Sequence, residues 1–210
     1  LITPSTRKLE IISALFVAAI VVSNVIASKL VQIGPLVVPG GFFLYAVTFL
    51  ATDIVSEVWG KREAGKLVIL GFIAAVFSAL AIKLTQWLPV AGFAAATGEA
   101  YDVILGANIR IVGASMVAYL ASQFWDINVF HRVGKLTGGK HKWLRNNLST
   151  MSSQAIDTVL FVSIAFAGVV PHLWTIIVSQ YVVKLIVAAI DTPIFYLLTR
   201  RVSNPEFAKA

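Results

Sequence analysis

The chain has 210 residues, of which 58% are hydrophobic and only 13% charged, with a mean hydropathy of +0.85. A soluble domain carries about twice that share of charge, so an ordinary water-soluble protein is excluded. The absence of cysteine excludes disulfides, thiolate metal sites and a cysteine nucleophile, and the excess of 17 Lys and Arg over 10 Asp and Glu sits in loops without a nucleic-acid-binding motif.

Six apolar stretches are long enough to cross a bilayer as α-helices. The first, residues 9–33, follows a tail carrying Arg7 and Lys8. A cleaved signal peptide competes for this stretch, but the apolar core is too long and Lys29 follows it directly where a cleavage site would stand. Asn24 and Ser28 lie one turn apart on it, as interhelical hydrogen bonds or as ligand contacts. After the uncharged loop "GPLVVPG" comes the second span, residues 41–59, whose end "TDIVSEVWG" holds Asp53 and Glu57. "GKREAGK" then supplies Lys61, Arg62 and Lys66, and the third span covers residues 66–88. The following loop, "PVAGFAAATGEAYDVILGAN", contains Glu99 and Asp102 but no Lys or Arg, and its length suits a short lid over a cavity mouth. The fourth span, residues 107–125, opens with Asn108 and Arg110 and leads into "HRVGKLTGGKHKWLR". The fifth, residues 148–168, and the sixth, residues 171–198, are joined by "GVVPH", and a tail with Arg200, Arg201 and Lys209 ends the chain.

Thirteen of the seventeen Lys and Arg fall on one side of this arrangement. The positive-inside rule then predicts both termini in the cytoplasm. The expected fold is therefore an all-α membrane protein, one domain over residues 1–210 with six transmembrane helices. Two inverted halves of three helices each are compatible with it, although only the Asp in "TDIVSE" and the Asp in "SQAIDT" correspond between them. Pairs such as Gly71 with Ala75 and Ala114 with Ala118 permit close helix contact.

The polar residues inside the spans carry the functional signal. A charge at mid-helix costs roughly 2.5 to 3.5 kcal/mol on insertion scales, so several in one bundle must pair or serve a purpose. Asp53, Glu57, Asp157, Lys184 and Asp191 lie well inside. Residues four or seven apart share a helix face. Asp53 therefore aligns with Glu57, Asn147 with Gln154 and Asp157, and Gln180 with Lys184 and Asp191. These stripes should face the bundle interior or an aqueous cavity. Pro193 would free a backbone carbonyl there as well. Competing assignments stand beside each: Glu57 reaching water or Arg62, Lys29 and Lys83 snorkelling to the interface, Arg110 doing the same, and Asp157 with Lys184 forming a purely structural ion pair. The five Trp lie near span ends, where an interfacial belt accounts for them.

"TDIVSEVWGKREA" and "NIRIVGASMVAYLASQFWDINVFHRVGKLTGGKHKWLRNNLSTMSSQAIDTVLF" resemble the queuosine-precursor transporter family, small six-helix proteins also described as vitamin-uptake-transporter-like. The likeness runs from about Ser23 through "DTPIFYLLTR" and is most specific from Trp143 to Phe161. It implies uptake of 7-cyano-7-deazaguanine and its aminomethyl relative, and a fold similar to the substrate-binding subunits of energy-coupling-factor transporters. A deazaguanine offers N1–H and an exocyclic amine to one carboxylate and a carbonyl to a donor. The candidate substrate-binding residues are Asp53, Glu57, Arg110, Asn147, Gln154, Asp157, Lys184 and Asp191. Asp157 or Asp53 is expected to accept from the ring edge, Asn147, Gln154, Arg110 or Lys184 to donate, and Phe43, Tyr45 or Phe161 to stack. The expected plasma-membrane protein has the deazaguanine and membrane lipid as partners, admits a homodimer, and uses no nucleic acid, metal or cofactor.

No "GxxxxGK[ST]" loop is present, so ATP hydrolysis by that route is not expected of this chain. The expectation is a stand-alone secondary carrier. It takes up a proton at Glu57 or Asp191, or runs by facilitated diffusion with metabolic trapping. The alternatives are a substrate-binding subunit docked on a separate ATPase module, and an intramembrane aspartyl enzyme with paired Asp residues.

Overall fold

The computed structural model describes residues 5–26, 29–33, 36–105, 109–168 and 173–199. In chain order these form α1 (Thr6–Ile26), β1 (Leu30–Ile33), β2 (Leu36–Pro39), α2 (Phe42–Trp59), α3 (Lys61–Trp87), a single 3₁₀ turn (Gly92–Ala94), α4 (Ala95–Leu105), α5 (Ile109–Leu136), α6 (Lys142–Phe166) and α7 (Leu173–Thr199). Among the described residues, five helices, α1, α2, α3, α6 and α7, are long and apolar enough to cross a membrane. α5 has the length, at 28 residues, but its inward side is polar, with Ser122, Gln123, Asp126 and His131 all buried.

Two elements depart from the expected spans. The first apolar stretch is helical only to Ile26, and Leu30–Ile33 pairs antiparallel with Leu36–Pro39, Leu30 opposite Pro39 and Ile33 opposite Leu36. β-branched Val31, Ile33, Val37 and Val38 favour the extended chain, and Pro39 and Gly40 stop a helix from forming after it. The fourth stretch runs eleven residues past Trp125, to Leu136, because hydropathy falls where the helix turns polar groups inward rather than where it ends.

The chain changes direction between α2 and α3 at one residue, Gly60, with φ 91°, a conformation that only glycine adopts cheaply. Its N–H donates to the Val55 carbonyl, 3.2 Å away, closing the end of α2. At the opposite end of α2, Gly41 touches α1 so closely that an added Cβ would fall on the Ser23 carbonyl oxygen. Buried Phe16, Ile20, Val55, Leu67, Val68 and Tyr119 knit α1, α2, α3 and α5 into one apolar core, and Gly71 and Ala75 are buried there as expected.

The bundle is apolar on its outer faces, and beside the apolar core its interior buries a band of polar side chains. α3 exposes Ile69, Ile73, Phe77, Leu80 and Leu84, and α7 exposes Val178, Val182, Ile186, Ile190 and Ile194, at helical spacing. Such faces suit lipid. Cross-bundle hydrogen bonds show how the helices run. α6 pairs Asp157 with Tyr45, Thr150 with Asp53 and Arg145 with Glu57, so that α6 numbers fall as α2 numbers rise. It pairs with α5 through Ser122 to Asp157 and Asp126 to Ser153, and with α7 through Lys184 to Asp157, Asn147 to Thr192 and Trp143 to Tyr196. α6 is thus the central helix, antiparallel to α2, α5 and α7.

Candidate functional site

Polar side chains of α2, α5, α6 and α7 meet in three layers along α6. Nearest the hairpin, Asp157 is held from three directions. Tyr45 Oη donates to its Oδ1 at 2.9 Å, Ser122 Oγ donates to the same oxygen at 3.3 Å, and Lys184 Nζ lies 2.5 Å from Oδ2. The Lys184 ammonium also sits 5.9 Å from the centre of the Tyr45 ring. Eight residues further along α2, about 12 Å at 1.5 Å per residue, comes the second layer. There Asp53 accepts from Thr150 Oγ1 at 3.2 Å, and Asp126 is buried one α6 turn away from that contact. Asp126 in turn accepts from Ser153 Oγ at 2.8 Å. One turn beyond, Glu57 is fully buried between Arg145, which binds its Oε2, and Lys142, 3.0 Å from Oε1. Arg145 also donates to the Gly139 carbonyl at 3.1 Å and lies 5.2 Å from the Phe130 ring, while Lys142 donates to the Thr199 carbonyl at 2.8 Å. This third layer ties α2, α6, α7 and the turn before α6 together.

A cavity of about 160 Å³, partly open, lies over the first layer. An enclosed pocket of that scale takes one small aromatic ring, so a bicyclic ligand would extend into the mouth. Its walls come from Asn24 at the end of α1, Phe42 and Tyr45 at the start of α2, Thr150, Gln154, Asp157 and Phe161 of α6, and Gln180, Lys184 and Asp191 of α7. Gln154 is buried, and its Oε1 has no hydrogen-bond partner among the described residues. Asp191 makes no side-chain hydrogen bond or ion pair among the described residues. Formal charge in the wall is therefore one negative, since Asp157 and Lys184 cancel and Asp191 remains. The wall supplies acceptors in Asp191 and Gln154, a cation in Lys184, and ring faces in Phe42, Tyr45 and Phe161.

Four of the eight expected binding residues, Gln154, Asp157, Lys184 and Asp191, line this cavity together. Asp53 lies behind it, separated by Thr150. Glu57 belongs to the third layer, paired with Arg145 and Lys142. Asn147 is not in the wall: its Oδ1 accepts from Thr192 at 3.1 Å and its Nδ2 donates to the Trp143 carbonyl at 2.9 Å. Arg110 is in the first turn of α5, but its side chain, like Asn108 and Ser28, lies outside the described residues. Of the expected stacking residues, Tyr45 and Phe161 line the cavity and Phe43 does not. The described part of the segment expected as a lid, residues 89–105, forms the 3₁₀ turn and α4, contributes nothing to the wall, and is tied at Asp102 to Gln86 at 3.1 Å.

Two important residues were not legible as site components. Asp126 follows Trp125, the expected span end, and reads as a loop residue. Arg145 falls in a basic stretch that reads as a topology signal, yet it is 1% exposed inside the first turn of α6. A signal for Asp126 did exist: Tyr119, Ser122 and Asp126 recur at helical spacing on one face, continuing the polar stripe past the apolar run.

The family described as "Putative vitamin uptake transporter" matches residues 39–198. The chain is 31% identical over 194 residues to a "Probable queuosine precursor transporter" of Bacillus subtilis (strain 168), covering 90% of this chain and 83% of that protein. It is 25% identical over 158 residues to a "Queuosine precursor transporter" of Escherichia coli (strain K12), covering 71% and 67%. A "Probable queuosine precursor transporter" of Haemophilus influenzae is 31% identical over 127 residues, covering 60% and 51%. No solved structure matches the chain.

Proposed function

The chain belongs to the "Putative vitamin uptake transporter" family, whose matched relatives are named queuosine precursor transporters, and from that premise we propose that it imports a 7-deazaguanine across the inner membrane. The substrate is 7-cyano-7-deazaguanine or its aminomethyl relative, and the chain works as a stand-alone secondary carrier. Its topology in this reading has six spans, α5 being the sixth, and both termini in the cytoplasm. The fold proposed with it is similar to energy-coupling-factor substrate-binding subunits. The activity is transport and not catalysis.

The observation that carries the reading is Asp191, a carboxylate without a side-chain partner among the described residues, in the wall of a cavity that also holds ring faces, amides and the satisfied Asp157–Lys184 pair. A guanine-like edge presents two parallel donors, N1–H and the exocyclic amine, which one carboxylate accepts at once. Asp191 is the acceptor for that edge. Gln154, with its unmatched oxygen, takes a further ring donor such as the pyrrole N–H. Lys184 keeps two protons after serving Asp157 and donates to the ring carbonyl, while Tyr45, Phe42 and Phe161 supply stacking surface. Charge-assisted hydrogen bonds contribute about 1.5–3 kcal/mol each. Asp191→Asn should therefore weaken binding of the purified protein for either deazaguanine by roughly ten- to a hundredfold. Isothermal titration with both compounds, and guanine as control, tests this. Unchanged affinity in Asp191→Asn and Gln154→Ala alike would remove the recognition scheme.

A further inference from the structure

Asp53 and Asp126 are 1% and 0% exposed, on α2 and α5, and both carboxyls are drawn to the same turn of α6, where Thr150 and Ser153 stand three residues apart. Both helices are held in register just above them, where Thr52 Oγ1 donates to Gln123 Oε1 at 3.3 Å and Gln123 Nε2 to Thr48 Oγ1 at 3.4 Å. Each Asp uses one oxygen on a hydroxyl of α6: Asp53 Oδ2 on Thr150 and Asp126 Oδ1 on Ser153. Asp53 Oδ1 and Asp126 Oδ2 are left buried with no donor among the described residues. Ionised carboxyls only accept, and two of them buried against the same helix turn are mutually repulsive. A proton held by the pair supplies a donor where the described residues offer none and removes one of two buried charges.

We infer that the Asp53–Asp126 pair is a proton-binding site, and that the proton it holds is the coupling ion of the carrier. The coupling half of this rests on the transport reading above; the proton site itself does not. The pair communicates with the cavity through Thr150, which lines the cavity and donates to Asp53. The charged groups acting on it are Asp191 of α7, in the cavity wall, Arg145 of α6 and, one turn along α2, Glu57. Arg145 is already committed to Glu57, so it does not neutralise the pair on its own. Asp191 is the group that meets the substrate in the proposed pose. Ligand contacts there alter the field at Asp53, so substrate and proton sense each other across one side chain. The assignment shifts the expected proton carrier away from Glu57, which is held by two cations, to a pair that bonds hydroxyls and, among the described residues, no cation.

Infrared difference spectra between acid and alkaline pH, on the purified protein in lipid without substrate, test the proton site. A protonated-carboxyl stretch that disappears in Asp53→Asn and again in Asp126→Asn is the expected result. A spectrum unchanged by either substitution overturns the site whether or not the protein transports anything. Proteoliposomes containing only this chain test coupling. With one proton per substrate, the accumulation ratio of labelled 7-cyano-7-deazaguanine should rise about tenfold per pH unit of inward gradient. That response should vanish in Asp53→Asn, while substrate exchange at equal pH persists. Exchange in the wild type with no response to the gradient overturns coupling and leaves the substrate reading standing. Absence of both exchange and binding overturns the substrate reading, with the infrared result still deciding the proton site.

Discussion

At the scale of single residues, burial and partners separate carboxylates that look alike in sequence. Asp157 lines the cavity yet has both oxygens occupied, by Tyr45 and Ser122 on one and Lys184 on the other. Its role there is to hold Lys184 and Tyr45 in place. Tyr45→Phe removes one of those donors and should lower thermal stability in detergent by about 1 kcal/mol, with a small loss of ligand affinity, read by thermal unfolding and titration in parallel. Glu57 and Arg145 form a pair with 0% and 1% side-chain exposure. Removing one partner strands a buried charge, so Arg145→Gln and Glu57→Gln should each destabilise by about 3–5 kcal/mol. The double replacement should recover part of that loss, because both fully buried charges are gone and Lys142, 16% exposed, keeps the Thr199 carbonyl. Equal destabilisation in the double and the sum of the singles would show that the two do not interact.

The helices themselves act as rulers. α2 faces α6 in antiparallel register, so the four-residue step from Asp53 to Glu57 on one matches the five-residue step from Thr150 to Arg145 on the other. The contact that fixes α2 against α1 is Gly41 on Ser23. Gly41→Ala has backbone to displace rather than a flexible side chain. It should shift the start of α2, with Phe42 and Tyr45, and cost about 1–3 kcal/mol, seen as a lower melting temperature with weakened ligand binding. A substitution that left both unchanged would mean the helices separate freely there. Most of this architecture was legible in the sequence, since the lipid-facing residues of α2, α3, α6 and α7 form long apolar runs. Helix ends set by buried polar groups were not. Asp126 and Arg145 lie beyond the apolar runs and read as loop residues, although α5 and α6 extend through them. The strands after Ile26 were hidden for the opposite reason, being as apolar as the helix they follow. Facing partners such as Asp53 and Asp126, 73 positions apart, are set by tertiary packing and leave no local pattern.

The bundle turns apolar helix faces outward and gathers its buried charges along one axis. From the hairpin end inward, that axis runs from the cavity to the carboxyl pair and then to the Glu57, Arg145 and Lys142 cluster, which binds α2, α6 and α7 together. In the proposed topology, with the basic turns in the cytoplasm, the cavity lies toward the outer side and the cluster toward the inner one. The Asp53–Asp126 pair does not line the cavity, and Asp157, which does, has both oxygens bonded, to Tyr45 and Ser122 on one side and Lys184 on the other. The central claim is that this one chain binds a 7-deazaguanine in that cavity and moves it. Counterflow of labelled 7-cyano-7-deazaguanine in proteoliposomes containing only the purified protein tests it most directly. The account predicts exchange that is lost in Asp191→Asn and kept in Asn147→Ala. Exchange that appears only after an ATPase module is added, or that is indifferent to Asp191, would contradict it.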